Sequence, residues 1–203
     1  MTETLNGAIS RSQAKADRRQ SLLDAAARLF AEHGFGGVSM EDLGAAAGVS
    51  GPAVYRHFPG KQAVLGALLV GVSENLLRGG KEQVAGAVDA AAALRALVRF
   101  HVEFALKNPD IIRAQDRDLA QLTDTDRIAV RSLQRSYVEL WVQVLSALRN
   151  EDLATLRVRA HAVFGLINST PYSSRAHGVA SRPPLRAVGD LLEQMAFAAL
   201  LPA

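Results

Sequence analysis

Nearly every long segment of this chain places its apolar side chains at a helical spacing, and clean strand-type alternation is absent. That pattern leaves a helical protein as the expectation. Most Gly and Pro fall between the helical runs. Between about Asp17 and His33, Leu22, Ala26, Leu29, Phe30 and His33 form one stripe, with Asp17, Ser21, Asp24, Arg28 and Glu32 opposite. His33 on that stripe reads as a core or capping histidine. Gly34, Gly36 and Gly37 end the helix. Ser39 followed by Asp42 has capping-box spacing and opens a short second helix, with Met40, Leu43 and Ala47 facing inward. Gly48 stops it. Ser50 with Pro52 starts a third helix, which Pro59-Gly60 closes. Residues 1–14 carry no periodicity, so 1–16 are expected to be a flexible arm.

Longer helices are expected after residue 61, at about 61–78, 90–107, 109–120, 124–149, 152–170 and 183–201. Gly79-Gly80 is expected to weaken or break the first, and 171–184 read as the clearest loop. The division this implies is an arm (1–16), a three-helix helix-turn-helix domain (17–61) and a larger helical domain (62–203).

Composition removes several chemistries. With 203 residues and 49% hydrophobic content, the chain can bury a core. Zero cysteine excludes disulfides, thiol nucleophiles and cysteine-type metal sites. No histidine has an acid three residues before it, as a bundle metal site needs, and no phosphate-cradling glycine loop occurs. No apolar stretch is long enough to span a bilayer and no signal peptide is evident, so a cytoplasmic protein without a membrane partner, metal or other cofactor is expected. A net charge of +3 says little about nucleic acid, so any such claim rests on where the charges sit.

They sit suggestively. In a helix-turn-helix the second helix of the pair enters the major groove by its N-terminal end. Gly51, Pro52 and Ala53 there are small enough for close approach to base edges. Arg56 has bidentate reach to a guanine or a phosphate, while Tyr55 and His57 can donate to flanking phosphates. Lys61 stands at a helix N-terminus, where free N–H groups favour a phosphate. Lys15, Arg18 and Arg19 are placed to reach backbone or minor groove. The same pattern can also be a plain structural corner.

The ordered run Ala47-Gly48-Val49-Ser50, then Tyr55-Arg56-His57-Phe58, then Lys61, within Phe30–Lys61, resembles the DNA-binding domain of TetR/AcrR transcriptional regulators. The resemblance covers roughly residues 18–66. It implies an all-α dimeric repressor, not an enzyme, whose larger domain binds a small molecule and which sits on a palindromic double-stranded DNA operator. It implies phosphate contacts from Ser39, Tyr55, His57 and Lys61, and base reading from Gly51, Pro52, Ala53, Arg56 and Met40. Gly60 and Gln62 depart from the family's usual Ser and Glu, weakening side-chain capping of the fourth helix.

In the larger domain the periodicity puts Leu94, Leu97, His101 and Phe104 on one stripe and Leu133, Tyr137, Trp141, Val144 and Leu148 on another. Polar groups embedded in apolar faces suit an effector pocket, so His101, Phe104, Tyr137, Trp141 and Asn168 are the candidates; each could equally be a satisfied core residue. The implied effector is small and hydrophobic, an acyl-CoA or fatty acyl compound among the options. Arg113 offers an anchor for an acidic group, but Arg113, Asp116, Arg117 and Asp118 read rather as an exposed charge mixture. Helices 152–170 and 183–201 carry broad apolar faces. Phe164, Ile167, Leu185, Val188, Leu192, Met195 and Ala199 are the candidates for an isologous four-helix dimer interface. Burial of both faces within one subunit is the alternative there. An all-α enzyme or carrier, and an interaction module without DNA binding, are the competing classes.

Overall fold

The computed structural model describes residues 2–176 and 183–201, with side chains at 12–169 and 183–201. Among the described residues there is no strand. The helices are α1 (Thr2–His33), α2 (Met40–Ala46), α3 (Gly51–Tyr55), α4 (Lys61–Ala85), α5 (Ala90–Lys107), α6 (Pro109–Asp118), α7 (Asp124–Ser146), α8 (Leu153–Ala176) and α9 (Leu185–Leu200), with a 3-10 turn at Leu119–Gln121. The chain divides into two compact units: Met1–Val70 with Arg113–Arg127, and Gly71–Ile112 with Ile128–Ala203. The sequence boundary at residue 61 therefore differs from the structural one, because α4 runs unbroken past Val70 and a later segment joins the first unit.

In the first unit α1 already begins at Thr2, so the stretch read as an arm is helical. Leu22, Ala26 and Phe30 of α1 and Leu43, Val54 and Phe58 are each almost fully buried, with α1 packed on α2 and α2 on α3. His33 stays outside it. Its side chain is 57% exposed beside Glu32, because the stripe has rotated into solvent by the last turn.

The close of α1 is held from far along the chain. Arg117 donates to the Phe30 carbonyl, which also accepts from the Gly34 N–H at 2.9 Å as α1 ends. Its guanidinium also touches Asp118, whose carboxylate accepts the Phe35 N–H at 3.2 Å. Arg113, Asp116 and Arg117 are exposed, as the local sequence suggested, but Asp118 is 5% exposed and does not belong to that exposed mixture.

The second unit is built on α5. Asp89 caps it, accepting from Ala92 N at 2.7 Å, and Asn108 ends it by returning both its N–H groups to the Phe104 carbonyl. The buried stripe Leu94, Leu97, Val98, His101, Val102 and Ala105 packs against α8 and α9. Gly79 and Gly80 do not break α4. A Cβ on Gly79 would lie 2.4 Å from Phe100, and one on Gly80 2.6 Å from Tyr137. The two glycines let α4 press directly on aromatic rings. Similarly, α8 continues through 171–176, where a loop was expected; 177–182 lie outside the described residues.

Near the close of the second unit Glu151 binds both Arg149 and Arg159 at 2.6 and 2.7 Å. These arginines donate onward to the Leu200 and Ala199 carbonyls at the end of α9.

Candidate functional site

The α2–turn–α3 corner follows from a few residues. Ser39 and Asp42 form the full capping box: Asp42 N donates to Ser39 Oγ at 3.0 Å and Ser39 N to Asp42 Oδ2 at 2.8 Å. The Ser39 hydroxyl, donating to the Asp42 carboxylate at 2.7 Å, and then the Ser39 N–H hold that carboxyl below its usual range. Gly48 adopts φ +69, the left-handed conformation that ends α2. Gly44 lets the helices close together, since a Cβ there would sit 2.8 Å from the Val49 carbonyl and 3.0 Å from Val54. Val54 and Phe58 anchor the corner beneath.

What remains outside is the tip of α3. Pro52, Tyr55 and Arg56 are exposed, Tyr55 at 52%, and Gly51 and Ala53 are half-exposed. Arg18 and Arg19 of α1 are also exposed, and Arg19 stacks over the Phe58 ring at 4.8 Å. That contact fixes one α1 cation against the corner. His57 lies within this group. Burial and then the charges of Lys15, Arg18, Arg56 and Arg19 hold its pKa below 6.5, and its Nδ1 has no hydrogen-bond partner. Four cations thus surround one imidazole with a donor or acceptor to spare.

Two site expectations change. Met40 is 6% exposed and packs into the core, so it cannot read a base. Lys61 sends its ammonium to the Val38 carbonyl at 2.6 Å and lies 4.5 Å from the Phe35 ring, so its side chain ties the start of α4 to the loop before α2. Ser39 is exposed, its hydroxyl engaged with Asp42. The Arg117–Asp118 clamp was missed; no spacing rule links residues 30 and 117, and only the fold brings them together.

In the second unit, α5, α7 and α8 assemble an aromatic cluster. Phe164 stands at its centre, 4.7 Å from His101, 4.9 Å from Trp141 and 5.7 Å from Tyr137, ring centroid to centroid, with Phe104 at its edge, 6.3 Å from His101. Tyr137 Oη lies 3.4 Å from His101 Nδ1. Burial pushes His101 down to about 4, the nearby Asn168 side chain opposing part of that shift, and pushes the Tyr137 phenol up. Asn168 lies near enough to His101, and Trp141 to Tyr137, to bias their titration, yet His101 Nε2, Trp141 Nε1 and Asn168 Oδ1 are buried with no partner at hydrogen-bond distance and angle. The candidate residues from three separate helices do come together, and none of the three orphan atoms has its need met.

The expected dimer residues divide. Ile167 and Leu192 are in the core at 0% and 3%, so these two serve the subunit itself, while Phe164 and Val188 pack against it and stay half-exposed. Leu185, Met195 and Ala199 are exposed, joined by Leu191 of α9 and Leu153 and Val158 of α8. On α9, Gly189 and Ala196 are small where they meet the inner helices, with Leu106 3.4 Å from a Cβ on Gly189. Among the described residues no cluster of His, Asp or Glu could hold a metal, and no helix is long and apolar enough to cross a membrane.

Comparison with known proteins agrees over most of the chain. Residues 22–68 match the bacterial regulatory proteins of the tetR family, and 87–179 match a tetracyclin repressor-like C-terminal domain. The HTH-type transcriptional repressor KstR2 of Rhodococcus jostii is 33% identical over 134 residues, 66% of this chain and 66% of its own length. That span is just short of two thirds of the repressor. The nucleoid occlusion factor SlmA of a Marinomonas species is 29% identical over 142 residues, 70% of this chain and 71% of that protein. A solved structure of AibR with isovaleryl coenzyme A and operator DNA superposes with TM-score 0.73 at 19% identity, covering 92% of this chain and 100% of that one.

Proposed function

The chain belongs to the TetR family of DNA-binding transcriptional regulators, which are not enzymes, and on that premise we propose that it is a repressor that grips a palindromic operator as a homodimer and is released by a small hydrophobic effector. The carrying observation is the exposed α3 tip with its surrounding cations. In this reading Gly51, Pro52, Ala53 and Arg56 face base edges. Tyr55, His57, Arg18 and Arg19 hold phosphates, and Ser39 and the backbone N–H at Lys61 contact the strand beside them. Such a protein works in the cytoplasm, where its operator is.

The repressor sense is supported by the likeness to the transcriptional repressor KstR2. The AibR complex, with a coenzyme A thioester and DNA in one structure, favours an acyl-CoA or fatty acyl effector as a second reading of the ligand. The switch needs a path between ligand and DNA. Tyr137 of the aromatic cluster packs on Gly80, and α4 continues without interruption from there to Lys61. A ligand that moves Tyr137 biases α4 between two positions, and it acts only as far as it binds the two states differently. Dimerisation uses Leu191, Met195, Leu185 and Ala199 of α9 with Val158 of α8.

The test is selection of bound fragments from the organism's genome, followed by titration of the best fragment at increasing salt. A palindrome whose affinity falls steeply with salt supports the proposal. Retention of no fragment, or binding indifferent to salt, overturns it. Tyr55→Phe should weaken all sequences alike, whereas Arg56→Ala should change the preferred sequence.

A further inference from the structure

We propose that the effector is an uncharged ring compound bearing a hydroxyl group, which it lodges among His101, Trp141 and Asn168. This inference rests on the effector-controlled reading above and narrows it to one ligand chemistry.

Buried polar atoms in a folded core are nearly always hydrogen-bonded, because each one stripped of water and left alone costs free energy. Among the described residues, the second unit has such orphans only in this cluster: His101 Nε2, Trp141 Nε1 and Asn168 Oδ1. Their chemistry is complementary rather than uniform. An indole N–H can only donate, an amide oxygen can only accept, and an imidazole nitrogen does either according to its tautomer. A single hydroxyl satisfies the set. Its oxygen accepts from Trp141 Nε1 and from the Nε2–H tautomer of His101, and its proton goes to Asn168 Oδ1. A ketone accepts from Trp141 but leaves Asn168 without a donor. A carboxylate has the same defect and brings a charge.

Charge is the second discriminator. Among the described residues of this unit, His101 is the only buried side chain of the usual charge-bearing kinds, and burial keeps its ring neutral at physiological pH. No buried Lys or Arg stands there to compensate an anion, which is expensive to desolvate unpaired. The remainder of the site is aromatic. Tyr137 and Phe164 stack on each other, and the half-buried Phe104 and Phe164 offer aromatic surface suited to a compact apolar body. Phe104, Phe164 and Asn168 are half-buried, so among the described residues the cluster reaches the surface on that side.

Trp141 is the chain's single tryptophan, so its emission reports this site directly. Purified full-length protein is titrated at pH 8 with two matched series. The first is cyclohexanol, cyclohexanone, cyclohexane and cyclohexanecarboxylate; the second is the corresponding decalin set. In at least one series the alcohol should bind at least about tenfold more tightly than its ketone, hydrocarbon and carboxylate. Asn168→Leu should erase the preference for the alcohol to within about twofold while the hydrocarbon still binds. His101→Phe should do the same, and circular dichroism shows whether each variant is folded; Asn168→Leu alone decides if His101→Phe is not.

Each sample is also tested for retention of the selected operator fragment. No preference for the alcohol in either series, or a preference for the carboxylate, with operator binding intact, overturns the inference alone. A preference for the alcohol in a protein that retains no operator overturns the regulator reading and leaves the site standing. A preferred alcohol that leaves operator affinity unchanged removes the effector role.

Discussion

Single side chains here carry legible consequences for proton linkage. His101 is neutral in the fold down to about pH 4, while in the unfolded chain it takes its proton near 6.5. Above 6.5 the ring is neutral in both states and costs nothing. Between 6.5 and about 4 only the unfolded chain is protonated, so stability falls by about 1.4 kcal/mol per pH unit, roughly 3 kcal/mol in total. Urea unfolding at pH 7.5 and 4.5 should show a drop in the wild type that His101→Gln reduces by that amount. His57 behaves oppositely on DNA. Its lowered pKa reflects burial and the cations Lys15, Arg18, Arg56 and Arg19, and an operator phosphate would offset those charges. Operator affinity at constant salt should therefore rise as pH falls from 8 to 6, and His57→Asn should flatten that rise. The residue types of both histidines were visible in the sequence. Their environments were not, since the cations around His57 come from two helices and the burial of His101 from three.

Among the elements, the capping signals were the most readable. Ser39 with Asp42 predicted the start of α2 and produced a complete box, because the whole signal lies within four residues. Ser39→Ala should lower stability by about 1 kcal/mol in a thermal melt. The glycines misled. Read as breakers, Gly79 and Gly80 are instead contact points of α4 with Phe100 and Tyr137. A Gly80→Ala methyl would overlap the Tyr137 ring and should cost about 1–3 kcal/mol, read as a lowered melting temperature, although alanine is the better helix former. The same change at an open glycine such as Gly71, where nothing lies within 4 Å, should be neutral or stabilising. The two outcomes together separate close packing from helix propensity.

Across the whole molecule, what matters is which apolar face looks outward. Periodicity showed that α8 and α9 are apolar on more than one side, but a stripe carries no mark saying which neighbour it meets. Ile167 and Leu192 turned inward, and Leu191, Met195 and Leu185 stayed outside. Leu191→Arg with Met195→Arg should leave helical content intact and halve the mass measured by sedimentation equilibrium. Ile167→Ala should leave the mass unchanged and remove about 2–5 kcal/mol of stability by opening a cavity. The clamp of Arg117 and Asp118 on the end of α1 belongs here too. Arg117→Ala removes the part-exposed cation beside the buried Asp118 carboxylate and should destabilise by about 1 kcal/mol, read by urea unfolding.

The helical class, the caps, the α2–α3 corner and the family all lay in local order, because each depends on residues a few positions apart in the chain. The assembly of His101, Tyr137, Trp141 and Asn168, the hold of Arg117 on Phe30 and the outward side of α9 did not. Each brings together side chains separated by tens of residues or chooses between two equally apolar faces. Packing makes that choice, since it alone settles which surfaces lose water and which polar atoms are left without a partner.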